Sequence, residues 1–197
     1  SGEHSGYKIL GVDPAAGGDK SAIVLKSGNL QEVLYNQKLQ NTMDLVGVIM
    51  DKYRSSHADY IVIDKTGVGQ GVFDRLQELD YPCRGVSFGE KSEDPQFGNL
   101  KAEWHWRQRE WLLSGGRLLY NIDWNEFEIV KYKNKDGKIV IQPKEELFKE
   151  NIASPNVVDA AVLTQVIRDS TVRSTRIIKQ MRGREFHDIT QTIWRNE

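Results

Sequence analysis

The order of strand and helix patterns constrains the fold of this chain more than any single motif does. Three strand-like stretches come first, at 7–13, 21–26 and 30–39, and short turns separate them. A helical pattern begins at Thr42, its predicted N-cap, and the continuously apolar run Ala58–Asp64 follows it. Such a run is typical of a strand buried on both faces of a parallel sheet. The first half therefore predicts an antiparallel meander joined to a parallel strand by a crossover helix.

The second half is less regular but still alternates helices and strands. Its predicted elements are a helix after Gly71, a strand at 83–88, a long helix ending near Gly115, hairpin strands at 128–133 and 138–142, and a helical turn at 144–150. The hairpin prediction rests on Asp136–Gly137, a pair that favours a tight turn. A last helix is predicted to begin with Ser154 as N-cap and Pro155 at its first position, and to run towards Asp169.

Length and composition favour one compact domain. The chain has 197 residues, 39% of them hydrophobic, which is enough to bury a proper core. The single cysteine excludes an internal disulfide framework, and no membrane-length apolar run occurs, so we predict a soluble intracellular protein without a membrane partner. The net charge of -1 argues against a pure DNA-binding module. We interpret 1–6 as a cloning scar or linker, 7–169 as the domain and 170–197 as a basic tail.

The element order resembles the ribonuclease H-like fold. That fold is an α/β architecture with a mixed five-stranded sheet, three antiparallel strands and then parallel ones, flanked by helices; here a β-hairpin is added. Because the first and fourth strands of such a sheet are parallel neighbours, Asp13 and Asp64 at their carboxyl ends are predicted to lie side by side. Asp159 is predicted on the last helix, among apolar residues that would face the sheet.

Three aspartates in these positions favour a divalent metal site. Hard cations need several carboxylate oxygens, and two such ions can hold both the attacking water and the leaving oxygen when a phosphodiester is cleaved. Each aspartate also has an ordinary structural interpretation: Asp13 opens a turn, Asp64 caps a helix, and Asp159 is a partly exposed helix residue. The strand order favours the metal site over those three separate explanations.

Five segments, in this order, resemble the nuclease domain of the large terminase subunit of tailed bacteriophages. They are Gly11–Asp19, Ile61–Val72, Gly98–Glu103, Gln142–Lys144 and Ser154–Ala160. The resemblance runs from about Tyr7 to Arg168 and implies an endonuclease that cuts concatemeric viral DNA during genome packaging. It implies Asp13, Asp64 and Asp159 as catalytic residues and as ligands of two Mg²⁺ or Mn²⁺ ions. Asn156 departs from the family pattern, which often carries an aspartate two or three residues before the last ligand.

The resemblance also implies partners and a location. These are double-stranded DNA, an ATPase domain of the same full-length protein, the portal and the small terminase subunit, in the cytoplasm of the host cell. The ATPase loop Gly-x-x-x-x-Gly-Lys-Ser/Thr does not occur in these residues, so the chain is interpreted as the nuclease part alone.

Several supporting residues have two interpretations each. Asp19 is either an outer carboxylate of the site or a local cap in a Gly-Gly turn. Lys144 either acts in the site or is a solvated lysine at a helix start. The hairpin carries four lysines that either bind the DNA backbone or discourage edge pairing, namely Lys131, Lys133, Lys135 and Lys138. His105 shows no metal-ligand spacing.

Three other functions compete with a packaging nuclease. A junction resolvase or transposase core has the same fold and would prefer branched DNA. A packaging scaffold with a vestigial site would bind DNA without turnover. An actin-like or sugar-kinase ATPase would need a second, duplicated domain, for which the chain is too short.

Overall fold

The computed structural model describes residues 6–15, 18–39, 41–149 and 153–167. The strands in this part of the chain are β1 (Lys8–Asp13), β2 (Lys20–Ser27), β3 (Leu30–Lys38), β4 (Tyr60–Asp64), β5 (Cys83–Val86), β6 (Arg117–Leu118), β7 (Tyr132–Lys135) and β8 (Lys138–Ile141). The helices are α1 (Thr42–Ser56), α2 (Gly69–Glu78), α3 (Leu100–Leu113), α4 (Lys144–Lys149) and α5 (Asn156–Leu163), with a 3₁₀ helix at Ile122–Glu128.

The main sheet has the mixed topology that the sequence predicts. Its order is β5-β4-β1-β2-β3-β6, and β1, β2 and β3 form an antiparallel meander. Strand β4 lies parallel to β1, and β5 lies parallel to β4. The predicted α/β fold with a mixed sheet is therefore confirmed. A two-residue strand, β6, adds a sixth member at the β3 edge, parallel to β3.

The alternation of side chains along the strands divides the core into two layers. Leu10 and Val12 of β1 and Ile61 and Ile63 of β4 pack in one cluster with the apolar residues of α1 and α2. The opposite face of the sheet is covered by α5, in a second cluster with β2. Successive side chains of a strand point to opposite faces. The odd-numbered positions of β1 and the even-numbered positions of β4 therefore face α5.

The hairpin of β7 and β8 forms a separate two-stranded sheet. Its first strand begins later than predicted, because Ile122–Glu128 forms the 3₁₀ helix instead. Two interactions favour that helix: the Asn121 side chain accepts a hydrogen bond from the Asp123 amide, and Trp124 is buried. The hairpin is held against the loop before α3, where Gly98 N–H donates to the Ile139 carbonyl at 2.9 Å.

Two predicted helix starts are each wrong by one residue. Asn41, and not Thr42, is the N-cap of α1, and its side chain accepts from the Met43 amide at 2.8 Å. Helix α5 begins at Asn156, and the side chain of Ser154 does not cap it. The Ser154 hydroxyl is buried and makes no hydrogen bond within the described residues. Helix α5 also ends at Leu163, well before Asp169.

The chain divides into the units Ser1–Val166 and Ile167–Glu197. Nearly all of the second unit, including the predicted basic tail, lies outside the described residues, as do residues 1–5 of the predicted linker. In the described part of the chain, every helix is too short or too polar to cross a membrane.

Candidate metal-binding edge of the sheet

Two of the predicted site residues end neighbouring parallel strands. The register of β1 and β4 pairs Gly11 with Val62 and Val12 with Ile63, so that Asp13 and Asp64 form the next pair. Both residues stand at positions that face α5, since Gly11 and Val62 lie two residues before them. The sheet thus brings Asp13 and Asp64 together on one face of its carboxyl edge, as the sequence predicts.

Asp13 is almost fully buried, with 5% of its surface exposed. The loop after it is tied back to β2 by Ser21, whose hydroxyl accepts from the Ala15 amide at 3.0 Å and donates to the Ala15 carbonyl. Two hydrogen bonds in that loop fix the direction in which the chain leaves β1. They hold the turn that follows Asp13 in place.

Asp64 is half-buried and forms a local turn. Its Oδ1 accepts from the amide of Thr66 at 3.0 Å and from its hydroxyl at 2.6 Å, while Oδ2 makes no hydrogen bond within the described residues. Helix α2 begins close above it, because a Cβ on Gly69 would lie 1.9 Å from the Asp64 carbonyl oxygen. The glycine after this strand therefore permits a close approach of helix and strand. The structural interpretation of Asp64 as a helix cap is wrong, because the N-cap of α2 is Val68 and α2 has no side-chain cap. Asp64 stabilises a turn and keeps one oxygen at the edge of the sheet.

Helix α5 lies directly on β1. A Cβ on Gly11 would be 2.0 Å from the Ala160 carbonyl oxygen, so only glycine allows this contact. On β3, the Gln31 side-chain amide donates to the Ala161 carbonyl at 3.2 Å and to the Thr164 hydroxyl at 2.9 Å. These contacts fix the distance between α5 and the sheet and the rotation of α5 about its axis.

Asp159 of α5 is fully buried and interacts with α3. Its Oδ2 accepts from Lys101 Nζ at 2.9 Å, and its Oδ1 lies 3.1 Å from His105 Nε2. Lys101 and His105 are one helical turn apart on α3 and therefore share a face. Two basic side chains therefore explain why an acid can be buried at this position. These two contacts were not predicted from the sequence.

The described residues contain no group of three or more His, Cys, Asp or Glu side chains arranged to hold a metal ion. Asp13 and Asp64 meet at the edge, while the carboxylate of Asp159 is bound to α3. The donor chemistry at the edge nevertheless fits a hard divalent cation such as Mg²⁺ or Mn²⁺. Two neighbouring carboxylates, one of them almost fully buried, are hard oxygen donors of the kind that such a cation prefers.

The sequence matches no protein-family model, and no curated protein matches it. Solved structures do resemble it. The nuclease domain of the large terminase subunit gp2 of bacterial virus Sf6 gives a TM-score of 0.71 at 17% identity, covering 83% of this chain and 90% of that chain. A mutant of that domain with manganese and beta-thujaplicinol gives 0.74 at 16%, covering 84% and 90%. The large terminase nuclease from thermophilic phage G20c with bound magnesium gives 0.59 at 18%, covering 83% and 82%.

The fold is that of a phage large-terminase nuclease domain. Most of the chain takes part in the match, and the predicted α/β fold with a mixed sheet agrees with it. At these identities the likeness establishes the architecture alone. The roles of the individual acids stay predictions.

Glu126 of the 3₁₀ helix caps α5 from outside. Its Oε2 accepts from the amides of Val157 and Val158 at 2.7 and 3.2 Å, in place of the predicted cap by Ser154. Burial raises the pKa of the Glu126 carboxyl to about 7, the two amide hydrogen bonds oppose that change, and the charges of Asp123 and Asp159 add to it. The start of the helix that carries Asp159 therefore depends on a titratable group.

Asp19 lies beside the first residue of α5. Its Oδ1 accepts from the Asn156 side-chain amide at 2.9 Å and from the Lys20 amide at 3.0 Å. This contact gives a physical reason for an asparagine at position 156, because an aspartate there would set two carboxylates against each other. The pairing joins the loop after β1 to the α5 helix.

The predicted basic residues fall into two groups. Lys131, Lys133 and Lys135 are exposed on the hairpin, and Lys133 forms an ion pair with Glu146 of α4. Lys138 is half-buried where β8 begins. The side chain of Lys144 lies outside the described residues, so its predicted role is open.

Three residues that hold Asp159 in place were not predicted from the sequence. Lys101 and His105 carried a usable signal, since two basic residues at i and i+4 on a helix share a face and can together hold one acid. Glu126 carried no such signal, because its partners are backbone amides 31 and 32 residues away in the sequence.

Proposed function

We propose that this chain is a divalent-metal-dependent DNA endonuclease of the kind that cuts concatemeric viral DNA during genome packaging. One observation carries the proposal: the register of β1 and β4 sets Asp13 beside Asp64, on the face covered by α5. The fold match supports it, since the similar domains are named as terminase nucleases, and two of them are described with manganese or with bound magnesium.

In this proposal Asp13, Asp64 and Asp159 are the catalytic carboxylates and would hold two Mg²⁺ or Mn²⁺ ions. Such ions, when bound, supply Lewis-acid stabilisation of the negative charge that develops on phosphate oxygens during phosphodiester hydrolysis. Asp13 supplies a rigid, nearly buried oxygen donor, and Asp64 supplies Oδ2 while Thr66 holds Oδ1. Asp19 and Lys144 are auxiliary in the same proposal, with Asp19 fixing the start of α5 through Asn156.

The substrate in this proposal is double-stranded DNA, bound partly by the hairpin lysines. Lys131 and Lys135 are exposed, whereas Lys133 already neutralises Glu146. A lysine that binds phosphate releases counterions, so its loss lowers the salt dependence of DNA affinity by about one unit of slope. We expect this for Lys135→Ala and a smaller change for Lys133→Ala; equal slopes in both variants and the unmodified chain would remove the hairpin from the interface.

The wider setting follows from the same proposal. A packaging nuclease works with an ATPase domain of its own full-length protein, with the portal and the small terminase subunit, in the host cytoplasm. Co-purification of this chain with those packaging components from infected cells would test that setting, and their consistent absence would speak against it.

The decisive experiment is nicking of supercoiled plasmid by the 197-residue chain with and without Mn²⁺. Asp13→Asn and Asp64→Asn are expected to lose metal-dependent nicking by more than the roughly 10- to 100-fold that loss of an outer-shell partner costs. Asp51→Asn is the matched control, because Asp51 is an exposed aspartate on α1, a helix that packs on the opposite face of the sheet.

Each outcome separates the candidate functions. Full cleavage by both edge variants, with circular dichroism spectra like that of the unmodified chain, would refute the assignment. DNA binding without metal-dependent cleavage would indicate the packaging scaffold. A strong preference for four-way junctions over linear duplex would indicate a resolvase of the same fold.

A further inference from the structure

Both oxygens of Asp159 are engaged by basic side chains of one helix. Lys101 Nζ is 2.9 Å from Oδ2, and His105 Nε2 is 3.1 Å from Oδ1. The Asp159 side chain is fully buried, and 7% of the His105 side chain is exposed. A divalent cation that binds Asp159 would lie close to the Lys101 ammonium, so the two positive charges compete for this carboxylate.

Lys101 is the partner that is able to move. Its side chain is 16% exposed, more than that of His105, and its ammonium lies 5.1 Å from the centre of the Phe88 ring. The backbone of Lys101 is fixed in the first turn of α3, where its amide donates to the Phe88 carbonyl at 3.1 Å. Lysine carries its charge on a flexible four-carbon stem, so the ammonium can change partner while α3 stays in place.

The surroundings of Lys101 connect it to the proposed DNA-binding hairpin. A small cavity beside Lys101 and His105 is also lined by Lys131, the residue just before β7, and by Gln142 after β8. DNA that follows the hairpin lysines would bring its phosphates near this cavity. A phosphate oxygen is a second anionic partner for the ammonium of Lys101.

We propose that Lys101 is a positioning residue that couples DNA binding to completion of the metal site. This inference rests on the proposed nuclease function. Without DNA, the ammonium of Lys101 neutralises Asp159 and lowers the affinity for the cation that needs this carboxylate. When DNA binds, a phosphate takes over Lys101, and Asp159 becomes a ligand, while His105 keeps its carboxylate oriented through Oδ1. Asp13 and Asp64 bind their cation with or without DNA.

The coupling makes a directional prediction for cation affinity. In the released state, Lys101 has left Asp159. If DNA favours this state, linkage requires that DNA raises the affinity of the chain for the cation, and that the cation raises its affinity for DNA by the same factor. Removing the Lys101 charge should produce the released state without DNA. A residue with only a structural role would give the opposite result, because its loss would disorder Asp159 and weaken cation binding.

The test is a Mn²⁺ titration of the full chain in which electron paramagnetic resonance measures the concentration of free Mn²⁺. It is carried out with and without a short DNA duplex, before cleavage becomes measurable. In the absence of DNA, Lys101→Met should bind its weaker Mn²⁺ ion about tenfold more tightly than the unmodified chain, a factor typical of coupled sites. DNA should tighten that ion in the unmodified chain and much less in Lys101→Met. Lys91→Met, which removes an exposed lysine, should behave like the unmodified chain.

Unchanged or weaker Mn²⁺ affinity of Lys101→Met without DNA would overturn the inference. Lys101→Gln keeps a hydrogen-bond donor and removes the charge, and it should shift the affinity in the same direction if the methionine variant does not fold. The unmodified chain is a test by itself, because no DNA-dependent tightening of Mn²⁺ would also overturn the coupling. Cleavage that depends on Asp13 and Asp64 but shows no such coupling would leave the nuclease proposal standing.

Discussion

The two sides of the candidate site are built in different ways. Asp13 and Asp64 are positioned by strand register, at the ends of adjacent parallel strands. Asp159 is positioned by a helix, and that helix depends on contacts from elements far away in the sequence, among them Lys101 of α3 and Glu126 of the 3₁₀ helix. The strand side offers two neighbouring carboxylates, whereas the carboxylate on the helix side already contacts the Lys101 ammonium.

This difference indicates that Asp159, on the helix side, is the carboxylate whose surroundings change most easily. A register shift of the sheet would turn every side chain of a strand to the other face, so the strand pair is fixed as strongly as the core itself. A helix can lose its cap or an ion pair at much lower cost. We therefore expect changes on the helix side to alter stability and cation affinity, and changes on the strand side to alter cleavage.

The largest effect on stability is expected where the two sides touch. Gly11→Ala would place a methyl group 2.0 Å from the Ala160 carbonyl oxygen, and since this is backbone, α5 must move away from β1. We predict a loss of about 3 kcal/mol in the free energy of unfolding, measured by urea denaturation. Gly47→Ala is the matched control: nothing lies within 4 Å of its new methyl group in α1, and it should gain about 0.5–1 kcal/mol. Similar results for the two variants would refute the close seating of α5.

A smaller effect on stability is expected when two of the aspartates are replaced by asparagine, and the two substitutions should differ in its direction. Asp159→Asn leaves Lys101 and His105 without their carboxylate and should destabilise the metal-free chain by about 2 kcal/mol. Asp64→Asn removes one of two neighbouring like charges and keeps the Thr66 turn, so stability should rise or change by less than about 1 kcal/mol. Thermal denaturation in chelator measures both variants, and equal losses would contradict the distinction between the two sides.

The smallest effect is a pH dependence from Glu126. Burial raises the pKa of this carboxyl from 4.5 to about 7 in the folded chain. Between those values the unfolded chain has lost the proton that the folded chain still binds, so the stability from this group is complete below pH 4.5 and falls as the pH rises towards 7. Glu126→Gln should lack this component, and the stability difference between the two chains should change by at most about 1 kcal/mol because the group is partly solvated. A difference that does not vary from pH 4.5 to 7 would show that Glu126 ionises normally.

Much of the strand side could be predicted from the sequence. Short apolar runs, turn residues and alternation determine which strands pair and which face each residue occupies, and these local signals placed Asp13 beside Asp64. The structure explains why two positions in the segments that resemble the terminase nuclease are occupied by glycine. Gly11 admits α5, and Gly69 admits the start of α2.

The helix side could be predicted only in part. The sequence indicated a helix that carries Asp159, but its rotation and its cap depend on contacts that no local pattern encodes. Glu126, and not Ser154, caps the helix, and the side chain of Asp159 contacts Lys101 and His105 of α3. Such contacts depend on how distant elements pack, and a local sequence pattern does not determine that packing.

Anomalous diffraction from a crystal of the full chain soaked in Mn²⁺ tests most directly whether Asp13 and Asp64 together bind a cation. We predict a manganese peak in contact with the carboxylates of both Asp13 and Asp64, because their strands set them side by side on one face of the sheet. We also predict that a second peak at Asp159 is stronger in Lys101→Met than in the unmodified chain. Manganese bound elsewhere in a soaked crystal, with no peak between Asp13 and Asp64, would show that these two carboxylates do not form a metal site.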